Sequence, residues 1–170
     1  MDYSDFERYY HEYKHKIYSY LYYRSGRDKA LAEDLVSEVF LKALEKFHTF
    51  VEEKSFQSWI YAIAHNHLID HFRKNKMKKV DLEAMENVLE AEQDTQVMLR
   101  KRITAEHVGE LLGYLSDVER EIILLRYHQG LPLKAIADIV DMTETGLRVR
   151  VHRALGKMRK KYEVMSGCRL

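Results

Sequence analysis

The chain has 170 residues, enough for one ordinary domain or two small ones. It carries one Pro and seven Gly against 46% hydrophobic and 32% charged residues, so the strongest helix breakers are scarce and helices are favoured. No run approaches the roughly 20 apolar residues that span a bilayer, Met1–Asp5 lacks the basic and apolar segments of a secretion signal, and the one cysteine, Cys168, has no partner for an internal disulfide. An intracellular protein is expected.

The formal net charge of +1 conceals an uneven distribution. Arg73, Lys74, Lys76, Lys78 and Lys79 form a basic run, and Asp81, Glu83, Glu86, Glu90, Glu92 and Asp94 an acidic one. Arg148, Arg150, Arg153, Lys157, Arg159, Lys160 and Lys161 form a second basic block. Two cationic surfaces separated by an anionic strip suit a nucleic-acid partner better than the total suggests.

In chain order, Phe6, Tyr9, Tyr10, Tyr13, Ile17, Tyr20 and Leu21 recur at helical spacing over about residues 4–24, and Gly26 supplies a stop. Asp28 is the expected N-cap of a second helix with Leu31, Leu35, Val36, Val39, Phe40, Ala43, Leu44 and Phe47 on its inner face. A polar loop, residues 51–54, leads to Ser55 as the cap of a third helix through Phe56, Trp59, Ile60, Ile63, Ala64, Leu68, Ile69 and Phe72, which is expected to dissolve in the basic run. Residues 75–104 read as a linker without Gly or Pro, too poor in apolar residues to hold a core.

A second domain begins near Ile103. Val108, Leu111, Leu112 and Leu115 mark one helix. Ser116-Asp-Val-Glu119 is a capping box opening another, which is expected to bury a combination of Ile122, Ile123, Leu124, Leu125 and Tyr127 and to end before Gly130. Pro132 suits the first turn of a short helix to Val140. Asp141-Met-Thr143 is a tight turn, and a last helix runs over about 144–162. Two helices joined by a three-residue turn, the second Arg-rich, form a helix-turn-helix. Ala137 permits close crossing; Ile136, Ile139, Met142, Leu147, Val151 and Leu155 are expected to seal its core. Arg148, Arg150, His152 and Arg153 cannot all be buried there and can meet phosphates or guanine edges, while Lys157, Arg159, Lys160 and Lys161 suit phosphates alone.

Enzymatic readings have little support. His67 and His71, like His11 and His15, stand at i and i+4, which can chelate a metal, but neither pair has a further ligand at an obvious step. No Gly-rich phosphate loop is present, and no cofactor or metal is expected.

The segments Leu115-Ser-Asp-Val-Glu-Arg-Glu-Ile-Ile-Leu-Leu-Arg-Tyr-His-Gln-Gly130, Ala135-Ile-Ala-Asp-Ile-Val140 and Arg150-Val-His-Arg-Ala154 resemble region 4 of bacterial sigma factors, in particular the small extracytoplasmic-function (ECF) group. Ala32-Glu-Asp-Leu-Val-Ser-Glu-Val-Phe-Leu-Lys-Ala-Leu44 resembles region 2.1–2.2, and Phe56-Gln-Ser-Trp-Ile-Tyr-Ala-Ile-Ala-His-Asn-His-Leu-Ile-Asp-His-Phe-Arg73 resembles regions 2.3 and 2.4. The resemblance implies an all-α fold with a region 2 domain over residues 1–76, an acidic linker over 77–102, and a region 4 helix-turn-helix domain over 103–170. It implies that Asp34, Glu38 and Lys42 meet the clamp helices of the largest RNA polymerase subunit, and that region 4 lies by the β-subunit flap. Trp59, His65, Asn66, Arg73 and Lys74 fall at −10 promoter positions; Trp59 also fits the core stripe, and Asp70 suits orienting a neighbouring basic group. Thr145, Arg148, Arg150, His152, Arg153 and Lys157 fall at −35 positions. An anti-sigma factor is a further implied partner, the action is cytoplasmic without membrane insertion, and no reaction is catalysed.

Departures bear on promoter preference. The recognition helix reads Thr145-Gly-Leu-Arg-Val-Arg150 where the family often has Gly-Thr-Val-Lys-Ser-Arg, and His65 and His71 stand where basic and aromatic residues are common. Asp141 stands where the turn often has Gly, a place Asp can fill in the left-handed conformation. The competing reading is a helix-turn-helix repressor that works without polymerase; a protein adaptor would make no salt-dependent DNA contact.

Overall fold

A computed structural model describes residues 3–51, 55–79 and 107–166. Helices α1 (Tyr3–Arg24), α2 (Lys29–Lys46) and α3 (Phe56–Lys79) form one body, with a 3-10 turn at Phe47–Thr49 after α2. Helices α4 (107–113), α5 (Asp117–Ile123), α6 (Leu133–Ile139) and α7 (Glu144–Ser166) form the other, and α5 runs on into a π turn at Leu124–His128. Every described element is helical. The linker carboxylates, Glu86, Glu90 and Glu92 among them, lie outside the described residues.

The local signals act where the residues place them. Gly26 and Arg27 adopt φ of 73° and 70°, and the Arg27 amide donates to the Tyr22 carbonyl at 2.8 Å, closing α1. Asp28 caps α2 by accepting from the Leu31 amide at 3.0 Å. Ser55 opens α3, its carbonyl accepting from the Trp59 amide at 3.1 Å. The capping box closes in both directions, since Ser116 Oγ accepts from the Glu119 amide while Glu119 accepts from the Ser116 amide at 3.0 Å.

Three expectations need correction. α3 does not dissolve after Phe72 but reaches Lys79, because Lys and Arg are good helix formers and nothing breaks the run. Tyr127 is exposed, since the π turn inserts a residue and rotates it out of the stripe that buries Ile122 and Leu125. Leu155 is also exposed, and Ala154 beside it takes the inward place between Leu147 and Met158. Pro132 is the cap residue preceding α6, with φ −68° and ψ 150°, the extended geometry a helix entry needs.

The first body has an aromatic interior at one end. Phe6, Phe47, Phe50 and Phe56 are buried, and Tyr9 stacks on Phe56 with ring centroids 4.0 Å apart. Ile17, Leu21, Leu35, Val39, Ile60, Ala64 and Leu68 continue it along the helices. The second body is aliphatic, built on Ile122, Leu125, Leu131, Ile136 and Leu147. The bodies touch where α1 and α3 meet α5, the π turn and α6. Trp59 and Ala62 face Pro132, Ala135 and Ile139 across a groove there.

Candidate nucleic-acid and polymerase interfaces

The helix-turn-helix depends on one backbone feature. α6 ends at Ile139 with Val140 as its C-cap, Asp141 takes φ of 51°, and the Met142 amide donates to the Ala137 carbonyl at 2.9 Å. This left-handed closure reverses the chain within three residues, and Asp141 performs it without glycine. Thr143 then opens α7, its Oγ1 accepting from the Gly146 amide at 3.1 Å. Leu147, Val151, Ala154 and Met158 face inward along α7, which fixes what faces out.

Thr145, Arg148, Arg150, His152 and Arg153 are exposed. Arg148 is near its own Glu144, at 3.7 Å across an exposed i,i+4 pair, a contact too weak to hold it from another anion. Lys157 is placed differently. Its Nζ donates to both Glu119 oxygens, at 2.7 and 2.9 Å. That Lys157 hydrogen bond, helped by Ser116 and opposed by burial, lowers the Glu119 carboxyl below its ordinary range. Lys157 therefore ties α7 to the start of α5.

On α3, Asn66, Arg73 and Lys74 are exposed. Asp70 accepts from Arg73 at 2.9 Å, orienting the guanidinium on an open face. Trp59 is half-buried beside Phe47, Phe50 and Phe56, with the Phe50 ring 5.3 Å away, so packing holds most of its surface. His65 points to the other body, its Nδ1 2.7 Å from Glu121 Oε1.

The charged face of α2 is partly paired. Asp34 is exposed. Lys42 donates to His67 Nδ1 at 2.6 Å, and His67 Nε2 lies 2.6 Å from Glu38 Oε2, close but not aligned for a full hydrogen bond. A lone pair on Nδ1 and a proton on Nε2 is the tautomer that fits. Burial pushes the His67 pKa down, and the Lys42 charge adds to this against the opposing pull of Glu38. Among the described residues, no three His, Cys, Asp or Glu groups are disposed to hold a metal ion, and no helix is long and apolar enough to cross a membrane.

Sequence reasoning passed over the residues at the seam between the bodies. Glu121 is buried and accepts from Tyr20 Oη, from Arg24 Nη2 at 3.2 Å and from His65. Arg24 also donates to the Asp117 carbonyl at 3.0 Å. Burial alone would raise the Glu121 pKa, but His65, Arg24 and Tyr20 outweigh it and hold the carboxyl below its usual value. One signal was available: Glu121 stands one turn before Leu125, on a face otherwise apolar, where a carboxylate requires a partner.

A sealed helix-turn-helix with open cations on its second helix, joined to a three-helix body with a mixed-charge face, has the architecture of a DNA-binding protein. Residues 9–77 match Sigma-70 region 2, and residues 106–158 match Sigma-70, region 4. The ECF RNA polymerase sigma factor SigW of Bacillus subtilis is 30% identical over 161 residues, covering 88% of this chain and 84% of SigW. The ECF RNA polymerase sigma factor BldN of Streptomyces coelicolor is 31% identical over 152 residues, covering 88% of this chain; the chain spans 57% of BldN's length. The sigma factor RpoE of Bartonella quintana, solved in complex with the anti-sigma factor NepR, shares the fold at a TM-score of 0.78 and 21% identity, covering 94% of this chain and 98% of that one. The chain belongs to the ECF group of the sigma-70 family of sigma factors, which are transcription initiation factors.

Proposed function

We propose that this chain binds core RNA polymerase and directs initiation at promoters with −10 and −35 elements, without catalysing a reaction itself and acting in the cytoplasm. The observation that carries this reading is the pairing, in one chain, of two faces with different chemistry. The α7 face carries Arg148, Arg150, His152 and Arg153 exposed and free of strong ion pairs, with Thr145 at its leading edge. Such a face suits duplex phosphates and base edges at −35. Lys157, engaged by Glu119, contributes there mainly by setting how α7 is held.

The α2 face, with Asp34, Glu38 and Lys42 of both signs and with Leu41 exposed, suits a protein partner, the clamp helices of the largest subunit. Asn66, Arg73 and Lys74 line the open side of α3, where a melted −10 strand can be held by phosphate contact and by amide hydrogen bonds to unpaired bases; Trp59 supports that wall from within, and His65 serves it when released from Glu121. We assign residues 1–76 to region 2, 77–102 to the linker and 103–170 to region 4, with α3 running past the first boundary to Lys79. The β-subunit flap is the polymerase site assigned to the second body, and an anti-sigma factor is the assigned regulator.

The test is reconstitution with core polymerase, mapping transcript starts across a genomic library. Starts downstream of a shared two-part motif, dependent on the chain, are expected. Tight, sequence-specific DNA binding by the chain alone, with no effect on polymerase, would favour the repressor instead.

A further inference from the structure

The charged face of α2 is shaped by a residue of another helix. Asp34, Glu38, Leu41 and Lys42 stand at i, i+4, i+7 and i+8, so they share one stripe of α2. Glu38 and Lys42 are one turn apart, the spacing at which a carboxylate and an ammonium ordinarily pair with each other. Here both turn instead to His67 of α3. Lys42 Nζ lies 2.6 Å from Nδ1 of the ring, and Glu38 Oε2 lies 2.6 Å from Nε2. The His67 side chain is only 8% exposed, whereas that of Glu38 is 56% exposed.

The two contacts are unequal. Lys42 needs a lone pair on Nδ1, which only the neutral ring offers. Glu38 approaches Nε2 without alignment, so Nε2 is a buried atom without a hydrogen-bond partner. Lys42 is thereby drawn toward α3, and the Glu38 carboxylate is left largely to solvent. The charges acting on the ring are Lys42 and Glu38 from α2 and His71 from its own helix. Asn75 Nδ2 in turn lies 2.8 Å from His71 Nε2. Burial, then the Lys42 charge, favours the neutral ring against the pull of Glu38. A proton added at Nδ1 removes the acceptor and sets two cations 2.6 Å apart. Lys42 must then swing out, while the imidazolium draws the Glu38 carboxylate in.

We infer that His67 is a positioning residue for the polymerase-facing side of α2, holding Lys42 in and leaving Glu38 out, and that protonating the ring reverses the two. The consequence, a loss of polymerase affinity on acidification, rests on the proposed function; the exchange itself does not. A partner matched to an open carboxylate at Glu38 meets instead an ammonium one turn away, and the mismatch opposes docking.

The test uses the full chain. Ring-nitrogen NMR shifts of His67 should place the proton on Nε2 at about pH 7.5, with a second proton arriving below about pH 6.5. The Lys42 side-chain signals should move in step. Kd for core polymerase should rise over the same interval, toward the limit of about tenfold per pH unit that one linked proton sets. His67→Asn keeps an acceptor where Nδ1 stood but cannot titrate. Its affinity at about pH 7.5 should lie within about threefold of the unaltered chain, and its pH profile should show only the polymerase's own response. His67→Leu offers no acceptor and should weaken binding by about tenfold, but by less than about twofold in a Lys42→Met background. If His67→Leu loses its helical circular dichroism, the His67→Asn profile decides. One pH profile shared by the unaltered and His67→Asn chains, or an equal cost of His67→Leu in both backgrounds, would overturn the inference. The NMR exchange in a chain that never binds polymerase would uphold the role of His67 in setting the two charges while removing the proposed function.

Discussion

The two bodies solve the same packing problem with different materials. The first uses rings: Phe6, Tyr9, Phe47, Phe50, Phe56 and Trp59 interlock at one end of α1–α3, and the charges on α2 and α3 are partly neutralised by neighbours, as in Glu38, His67 and Lys42. The second uses aliphatic side chains and leaves most of the α7 cations facing solvent. A surface whose charges are settled internally suits a shaped protein partner. A surface of open cations suits a polyanion, because released counterions supply the driving force. The contrast between the α2 and α7 faces therefore bears on which of the two suits which kind of partner.

The largest effect is expected at the ring cluster. Phe56→Ala removes the ring stacked on Tyr9 and should cost about 3–5 kcal/mol in urea unfolding, followed through the fluorescence of the single tryptophan. A loss below about 1 kcal/mol would mean the rings do not form the core of that body. The next concerns the open cations. In the reconstituted polymerase–promoter complex, Arg150→Ala and Arg153→Ala should each reduce the log–log salt slope of DNA binding by about one, whereas Asp34→Asn should leave the slope unchanged. Equal effects from all three would erase the distinction between the faces.

A smaller effect is expected at the capping box. Ser116→Ala should lower stability by about 1 kcal/mol by orphaning the Glu119 amide, read from the denaturation midpoint. The smallest is a pH dependence. The folded pKa of His67 lies below its ordinary 6.5, so the unfolded chain binds the proton more readily. The associated stability is complete above that ordinary value and is lost as pH falls through the depressed one. His128, pushed down by burial at the seam, acts with the same sign. Melting temperature should fall between pH 7 and 5, less steeply in His67→Gln; an identical slope in that variant would remove His67 as a source.

Most of the local architecture was legible from the residues. Asp28, Ser116, Glu119 and Gly26 act through neighbours within five positions, and their roles follow from side-chain reach and backbone freedom. Asp141 belongs with them: a short polar residue tolerates φ of 51° where a branched one would not. The helix-turn-helix and its cationic face followed from periodicity. What sequence periodicity missed depends on rotation or on distance along the chain. The π turn shifted the phase and exposed Tyr127, and Ala154 took the inward place that periodicity gave to Leu155 beside it. The Glu121 cluster joins residues 56, 97 and 101 positions apart, beyond any local pattern.

The π turn has one more consequence. An α-helix advances about 100° per residue, so the extra residue held at Leu124–His128 sets the angular offset between α5 and everything after it. Deleting one residue there would restore regular winding and swing Pro132, α6 and α7 around the α5 axis by about that angle. The exposed arginines of α7 would keep their chemistry and lose their aim.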